Sequence, residues 1–244
     1  MNAQLHHRSV DAVAQRDATQ GLEGKTAQST SSRSIAADRI LKELHAINYC
    51  YLQLLAQAQS DRTLPPEPNQ IPETLAKSLA PLSPHALEIA ARCPYSLFDL
   101  AFDDVERWQR ICERPASVLG HTGGTRGAFV STVLFFSWHL TNAGESRVHA
   151  SSRLLLGMPL RTALLLQQVS LSRLGDIAQA AAPMMQPRWS THPRFWPDLV
   201  RSVSKPDPGG LQAVRLLGRQ LLAAEAMQGS RSPQQSVNTR TAWK

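Results

Sequence analysis

The sequence predicts an all-α protein with two related multi-helix units, each a long helix followed by short helices, flanked by disordered tails. Three observations carry this expectation. Ala, Leu, Arg and Gln are abundant while glycine contributes only 13 of 244 residues, a mix that favours helix over sheet. Apolar residues recur at steps of three and four. The same order of long helix, proline break and short capped helices then occurs twice.

Residues 1–34 are rich in Gln, Ser, Thr and Ala and hold almost no large apolar side chain. Such a segment cannot bury enough surface to offset its ordering entropy, so a disordered tail is expected. Helical periodicity begins at the start of the first unit, 35–113. Ile40, Leu44, Ile47, Tyr51, Leu54 and Ala58 form one row, and Leu41, Asn48, Leu52 and Leu55 lie beside it. This stripe is wider than a single partner helix needs, so the helix packs on two neighbours or forms a dimer interface. Leu44, Ile47, Asn48, Tyr51 and Leu54 are the candidate interface residues. Asn48 on that face reads as a satisfied core amide or a register-fixing group.

Pro65, Pro66 and Pro68 break the chain within "DRTLPPEPNQI", 61–71. Pro72 then opens a short helix ending near Ala80. Ser83 and Pro84 read as an N-cap with proline at the first helical position, opening "HALEIAAR". After Cys93-Pro94, the end of "SLFDLAFDDVERWQRI" reads as a helix holding Trp108 and Ile111.

"GHTGGTRG", 120–127, is a glycine-rich stretch without the Lys-Ser/Thr of a phosphate-binding loop. We read 114–126 as a linker. The second unit, 127–228, begins with an apolar helix over Gly127–Thr141. A short helix follows around Leu154–Leu156, another opens at Pro159, and Ser170 caps the next. A proline-rich stretch, "APMMQPRWSTHPRFWPDLV", precedes a final helix over Gly210–Met227. Residues 229–244 read as a second disordered tail.

The two units align as an internal duplication. A step of 87 residues takes Pro72 to Pro159, Ala76 to Ala163, Leu79 to Leu166, Leu82 to Val169 and Ser83 to Ser170. A step of 88 takes Tyr51-Leu52 to His139-Leu140, Ile89-Ala90 to Ile177-Ala178, and Trp108 to Trp196.

Charge divides the units. Residues 35–113 carry seven Lys/Arg against eleven Asp/Glu, and 114–228 carry twelve against five. A basic half suggests an acidic partner, with nucleic acid the commonest. Arg153, Arg161 and Arg173 have no arginine counterparts in 72–90. Arg188, His192 and Arg194 stand among Trp189, Phe195 and Trp196 in "PRWSTHPRFWPDL". These six basic residues are the candidate DNA contacts, since arginine beside aromatics suits phosphate contact or minor-groove insertion. The opposing reading has the aromatics capping the core and the arginines solvated.

No HExxH, paired-carboxylate or GxSxG pattern occurs, so neither an enzyme nor a metal or other cofactor is expected. Cys50, Cys93 and Cys112 form no CxxC pair, which fits a reduced, cytoplasmic compartment. The most apolar stretch, Ala128–Leu140, is too short for a membrane span.

"ILKELHAINYCYLQLLAQAQSD" resembles the start of the flagellar regulator subunit FlhD family, through Ile47, Asn48, Tyr51, Leu52 and then Leu54, Leu55, Ala56 and Gln57. "LAPLSPHALEIA", "LAFDD" and, in the second half, "RLLLGM" and "TALLLQQVSLSRLGDIA" are similar to later family segments. The likeness spans 36–112 and, more loosely, 127–200. It departs where "PPEPNQ" replaces a family glycine and where Leu100 or Ala101 stands for an arginine. It implies a helical transcription activator that dimerises and works with the zinc-binding FlhC subunit at flagellar promoters. The expected partners are therefore a second copy, an FlhC-like protein and DNA. The alternatives are a helical adaptor or secretion-apparatus accessory without DNA contact, and a small-molecule-binding domain near Trp138 and His139.

Overall fold

The structure, a computed structural model, describes residues 37–57, 72–114, 124–142, 154–205 and 207–229. The expected N-terminal tail, the C-terminal tail beyond 229, the proline break over 61–71, most of the 114–126 linker and Arg153 lie outside the described residues. The chain divides into two units, 1–43 and 44–244. Of the first, 37–43 are described and are helical. Everything below concerns the second.

The fold is all-α. Within it, helix α1 covers 44–57. It is followed by α2 (Glu73–Leu79), α3 (Pro84–Ala91), β1 (Phe98–Asp99), α4 (Val105–Glu113) and α5 (Thr125–Asn142). A single helical turn, α6, covers 154–156. Then come α7 (Leu160–Gln167), α8 (Leu174–Ala181), β2 (Gln186–Pro187), α9 (Phe195–Ser204) and α10 (Pro208–Gly229).

Local chemistry sets several boundaries. The Ser83 side chain accepts from the Ala86 N–H, and Pro84 takes the first helical position of α3. Asp104 caps α4 by accepting from the Arg107 N–H. Pro72 and Pro159 both sit at the N-cap of the next helix, one position before the helical residues. Ser170 occupies an N-cap position, but its side chain makes no capping bond and pairs with the Ser172 hydroxyl instead.

Two elements lie where no regular structure is predicted. The proline-rich stretch holds α9, which tolerates Pro197 because first-turn amides have no partner inside the helix. The other is a two-residue antiparallel ladder, with Phe98 opposite Pro187 and Asp99 opposite Gln186.

Residues 98–99 and 186–187, the two strands, are 88 apart. So are Ala101 and Trp189, the two non-glycine residues with positive φ among those described, at 48° and 53°. In each half an indole closes the turn that follows. Trp108 Nε1 donates to the Ala101 carbonyl, and Trp196 Nε1 donates to the Arg188 carbonyl.

Packing crosses between the halves reciprocally. Helix α4 of the first half lies on α7 and α8 of the second, while α9 of the second lies on α2 and α3 of the first. Hydrogen bonds also cross between the halves. Thr162 Oγ1 donates to the Phe102 carbonyl at 2.5 Å, Ser96 N–H to Leu155, and Arg188 N–H to Leu97. One hydrophobic cluster consequently takes residues from both halves, from Leu44 and Tyr51 through Trp108 to Phe129, Ile177, Trp196 and Val214.

Candidate functional site

The α1 face expected to form an interface lies inside this chain. Leu44, Ile47, Asn48 and Tyr51 are buried, and Leu54 is half-buried against the core. The stripe is wide because α1 meets several elements of its own chain, so assignment of these residues to a dimer surface is corrected to the intrachain core. Tyr51 packs its ring on Phe98 and Phe129, 5.6 and 5.5 Å away.

Asn48 shows why an amide is needed there. Its Nδ2 faces the carbonyls of Ala91, Cys93 and Tyr95 at 3.2, 3.4 and 2.9 Å, and its Oδ1 accepts from the Leu97 N–H at 3.0 Å. These groups belong to the last residue of α3 and the irregular segment between it and β1. One side chain thus replaces the backbone partners that a buried loop lacks.

Arg188 occupies neither position considered from the sequence. It is only 4% exposed, with Gly157 close against its guanidinium. Its Nη1 donates to Ser96 Oγ and the Leu155 carbonyl, and its Nη2 to Glu225 on α10. Its Cζ stands 4.9 Å from the Trp189 ring centroid, and Trp189 Nε1 donates to the same Glu225. A guanidinium so enclosed cannot meet a phosphate. The DNA assignment of Arg188 is corrected to a structural one.

His192 is likewise occupied. Its Nδ1 accepts from the Arg194 and Phe195 N–H groups at the start of α9, a capping role that sets the helix's entry. Arg194 is 79% exposed and pairs with Asp198, which also holds Arg201. Arg173 is half-buried and donates to the Arg114 carbonyl at the end of α4. Arg161 lies exposed on α7 and forms no ion pair among the described residues. The basic residues therefore do not form one patch with one task.

The aromatics around Arg188 divide in the same way. Phe195 and Trp196 are buried, and Trp189 packs edge-on against Tyr95 and Phe195. Trp138 donates its indole N–H to the Val169 carbonyl, while His139 is exposed. The described cysteines are free, and burial pushes the thiols of Cys93 and Cys112 up to about 11. Both remain protonated at neutral pH, which removes them as thiolate nucleophiles. Among the described residues no group of His, Cys, Asp or Glu could hold a metal ion, and no helix is long and apolar enough to cross a membrane.

A difference between the halves was missed from the sequence. On α2, Glu73 and Lys77 form an exposed i,i+4 ion pair at 2.6 Å. The residues 87 further on, in α7, are Leu160 and Leu164. These leucines are 51% and 47% exposed. The signal is in the sequence, where the step of 87 sets a charged pair against two leucines. In comparisons with known proteins, the chain matches no family model, no curated protein and no solved structure.

Proposed function

We propose that this chain is an FlhD-like transcriptional regulator in which two joined helical units replace a dimer, and which acts at promoter DNA through a complex with an FlhC-like protein. The carrying observation is that α4 packs on α7 and α8 while α9 packs on α2 and α3; on our reading of the sequence as a duplication, this is an exchange of matching arms. Exchange of matching arms is how two identical subunits interlock, and joining the subunits removes the entropy cost of bringing them together. Asn48 and Tyr51, two residues carrying the resemblance, hold the core of this arrangement. Among the candidate DNA contacts, Arg161 and Arg194 retain exposed guanidinium groups.

The test is a gel shift on flagellar promoter DNA with and without an FlhC-like protein, together with light scattering. The expected result is a single chain in solution that shifts DNA only with the partner. Arg161→Glu and Arg194→Glu should then weaken the complex and lower its salt slope by about one each. An obligate tetramer or larger assembly would remove the pseudo-dimer reading.

A second reading, an adaptor without DNA contact, is favoured by the burial of Arg188 and the capping role of His192. It predicts partner binding with no promoter shift at any salt concentration.

A further inference from the structure

We propose that Arg188 and Trp189 form a carboxylate-binding cradle which Glu225 fills as the chain's own ligand. The end of α10 is then a displaceable strap, and a glutamate carried on a helix of a protein partner takes its place when the strap opens. This goes beyond the regulator reading and applies equally to an adaptor.

Two different residues grip the two oxygens of one carboxylate. Arg188 Nη2 donates to Glu225 Oε2 at 2.5 Å, and Trp189 Nε1 donates to Oε1 at 2.6 Å. Donors converging in this way on an ionised planar group select it by shape as well as by charge. The cradle is braced from behind. Arg188 Nη1 is held by Ser96 Oγ and the Leu155 carbonyl, and the Trp189 ring packs edge-on against Tyr95 and Phe195 at 5.2 and 4.7 Å. It also makes demands on the backbone. Trp189 adopts a φ of 53°, in the left-handed region that a bulky residue rarely enters. Gly157, at φ 69°, lies so close that a Cβ there would stand 2.2 Å from Arg188 Nη2. A plain tether for a helix end needs none of this, since an exposed lysine would serve.

Helix α10 divides into an anchored stretch and an end. Leu211 and Val214 are buried, and Leu217, Leu221 and Leu222 pack on the core. From Ala223 to Met227 every residue is exposed. Glu225 is thus a ligand that solvent already reaches, on a turn that buries little apolar surface, and such turns open at low cost. When the strap swings out, Arg188 keeps the acceptors of its Nη1. Opening therefore frees the two donors that define the cradle without stranding the rest of the guanidinium.

The occupant is read from the one already seated, a glutamate on a helix. An intrachain ligand competes at high effective concentration, so the strap is autoinhibitory.

The probe is a labelled peptide of residues 219–229, compared with its Glu225→Gln counterpart by fluorescence anisotropy on the full chain. On the Glu225→Ala chain the glutamate peptide should bind at least about tenfold more tightly than the glutamine peptide, and at least about tenfold more tightly than on the wild-type chain. Trp189→Phe in that background keeps the ring, removes the indole donor and should weaken binding severalfold. Excess acetate should not displace the peptide, because it lacks the helix. Hydrogen exchange in the Glu225→Ala chain should quicken more over 223–227 than over 44–55. Glu225→Gln, which retains one acceptor oxygen, is measured alongside as the gentler variant. Equal binding of the two peptides, no binding by either variant chain, or affinity that does not rise when Glu225 is removed would overturn the proposal. So would displacement by acetate, or exchange that rises no more at the strap than in α1 in both variants.

Discussion

Arg188 Nη2 donates to Glu225 Oε2 at 2.5 Å, tying the turn after β2 to the distal part of α10. Glu225 is 43% exposed, whereas Arg188 is almost wholly enclosed. The two ends of the pair therefore carry unequal weight. Removing the glutamate leaves a buried cation with two remaining acceptors, Ser96 Oγ and the Leu155 carbonyl. Glu225→Ala should cost about 1–3 kcal/mol, less than a fully buried pair because solvent screens the carboxylate. Arg188→Ala should cost more than about 3 kcal/mol, since it orphans partners from three segments. Arg188→Lys should not restore stability, because a single ammonium cannot reach the same fork of acceptors. Urea unfolding of the three variants gives the order directly.

Asn48 should be equally resistant to replacement. Leucine at this position keeps the branched shape at Cγ but is bulkier, and it leaves the Leu97 N–H and the Tyr95 carbonyl without partners in a dry environment. Each such loss costs about 1–3 kcal/mol, so Asn48→Leu should destabilise by at least about 2 kcal/mol. Apolar gain at a site already buried cannot offset this. Chemical denaturation showing unchanged stability would mean that the α3–β1 segment does not depend on this amide.

These two residues show what a sequence can and cannot disclose. The α1 stripe, the Ser83 cap and, to within one residue, the helix starts at Pro72 and Pro159 are local patterns whose physics acts within a turn or two of helix, and they are legible. Asn48 was expected to be a satisfied core amide, and the identity of its partners, 43 to 49 residues away, was not readable. Arg188 was hidden for the same reason. Its acceptors come from Ser96, Leu155 and Glu225, three positions that meet only after the arms exchange. Helix α9 was concealed by prolines that look like breakers, although Pro197 falls where helices accept one. The exchange itself leaves no mark on periodicity, because a helix buries the same stripe whichever half supplies its neighbour.

His45 should give the protein a pH-dependent stability near neutrality. Burial lowers its pKa below 6.5, and the Arg215 and Arg92 guanidiniums lower it further. The unfolded chain then binds a proton that the folded chain resists. This contribution is fully present above the unfolded pKa and is lost as pH falls through the folded one. Stability should decline from about pH 7 toward pH 5, and His45→Gln should flatten that slope. Thermal melts across this range decide the matter.

Asp99 works in the opposite sense. Burial raises its pKa above 3.8, outweighing the bonds it accepts from Gln186 and the Ala101 N–H. The folded chain holds this proton better than the unfolded chain does. Its contribution is complete below the unfolded pKa and is lost as pH rises through the folded value. A charged Asp99 is therefore a small liability at neutral pH. Asp99→Asn keeps an acceptor for Ala101 and should raise the melting temperature at pH 7 by a few degrees, a gain of under about 1 kcal/mol. The advantage should vanish below about pH 4.

Gly218 decides how α10 lies on the core. Glycine inside a helix ordinarily costs about 1 kcal/mol relative to alanine, so Gly218→Ala in an isolated helix would stabilise it. Here a Cβ at this position would stand 2.1 Å from Cζ and Oη of Tyr95, well inside contact distance. Tyr95 cannot yield easily: it is fully buried, packs on Trp189 and Phe195, and donates its hydroxyl to the Val214 carbonyl of α10. Overpacking of a filled core costs about 1–3 kcal/mol, which exceeds the propensity gain and reverses the sign. Gly218→Ala should therefore lower stability, and Gly218→Ala in a Tyr95→Phe background should recover part of the loss because one clashing atom is gone. A melting temperature that rises in the single variant would show that α10 stands further from Tyr95 than this packing requires.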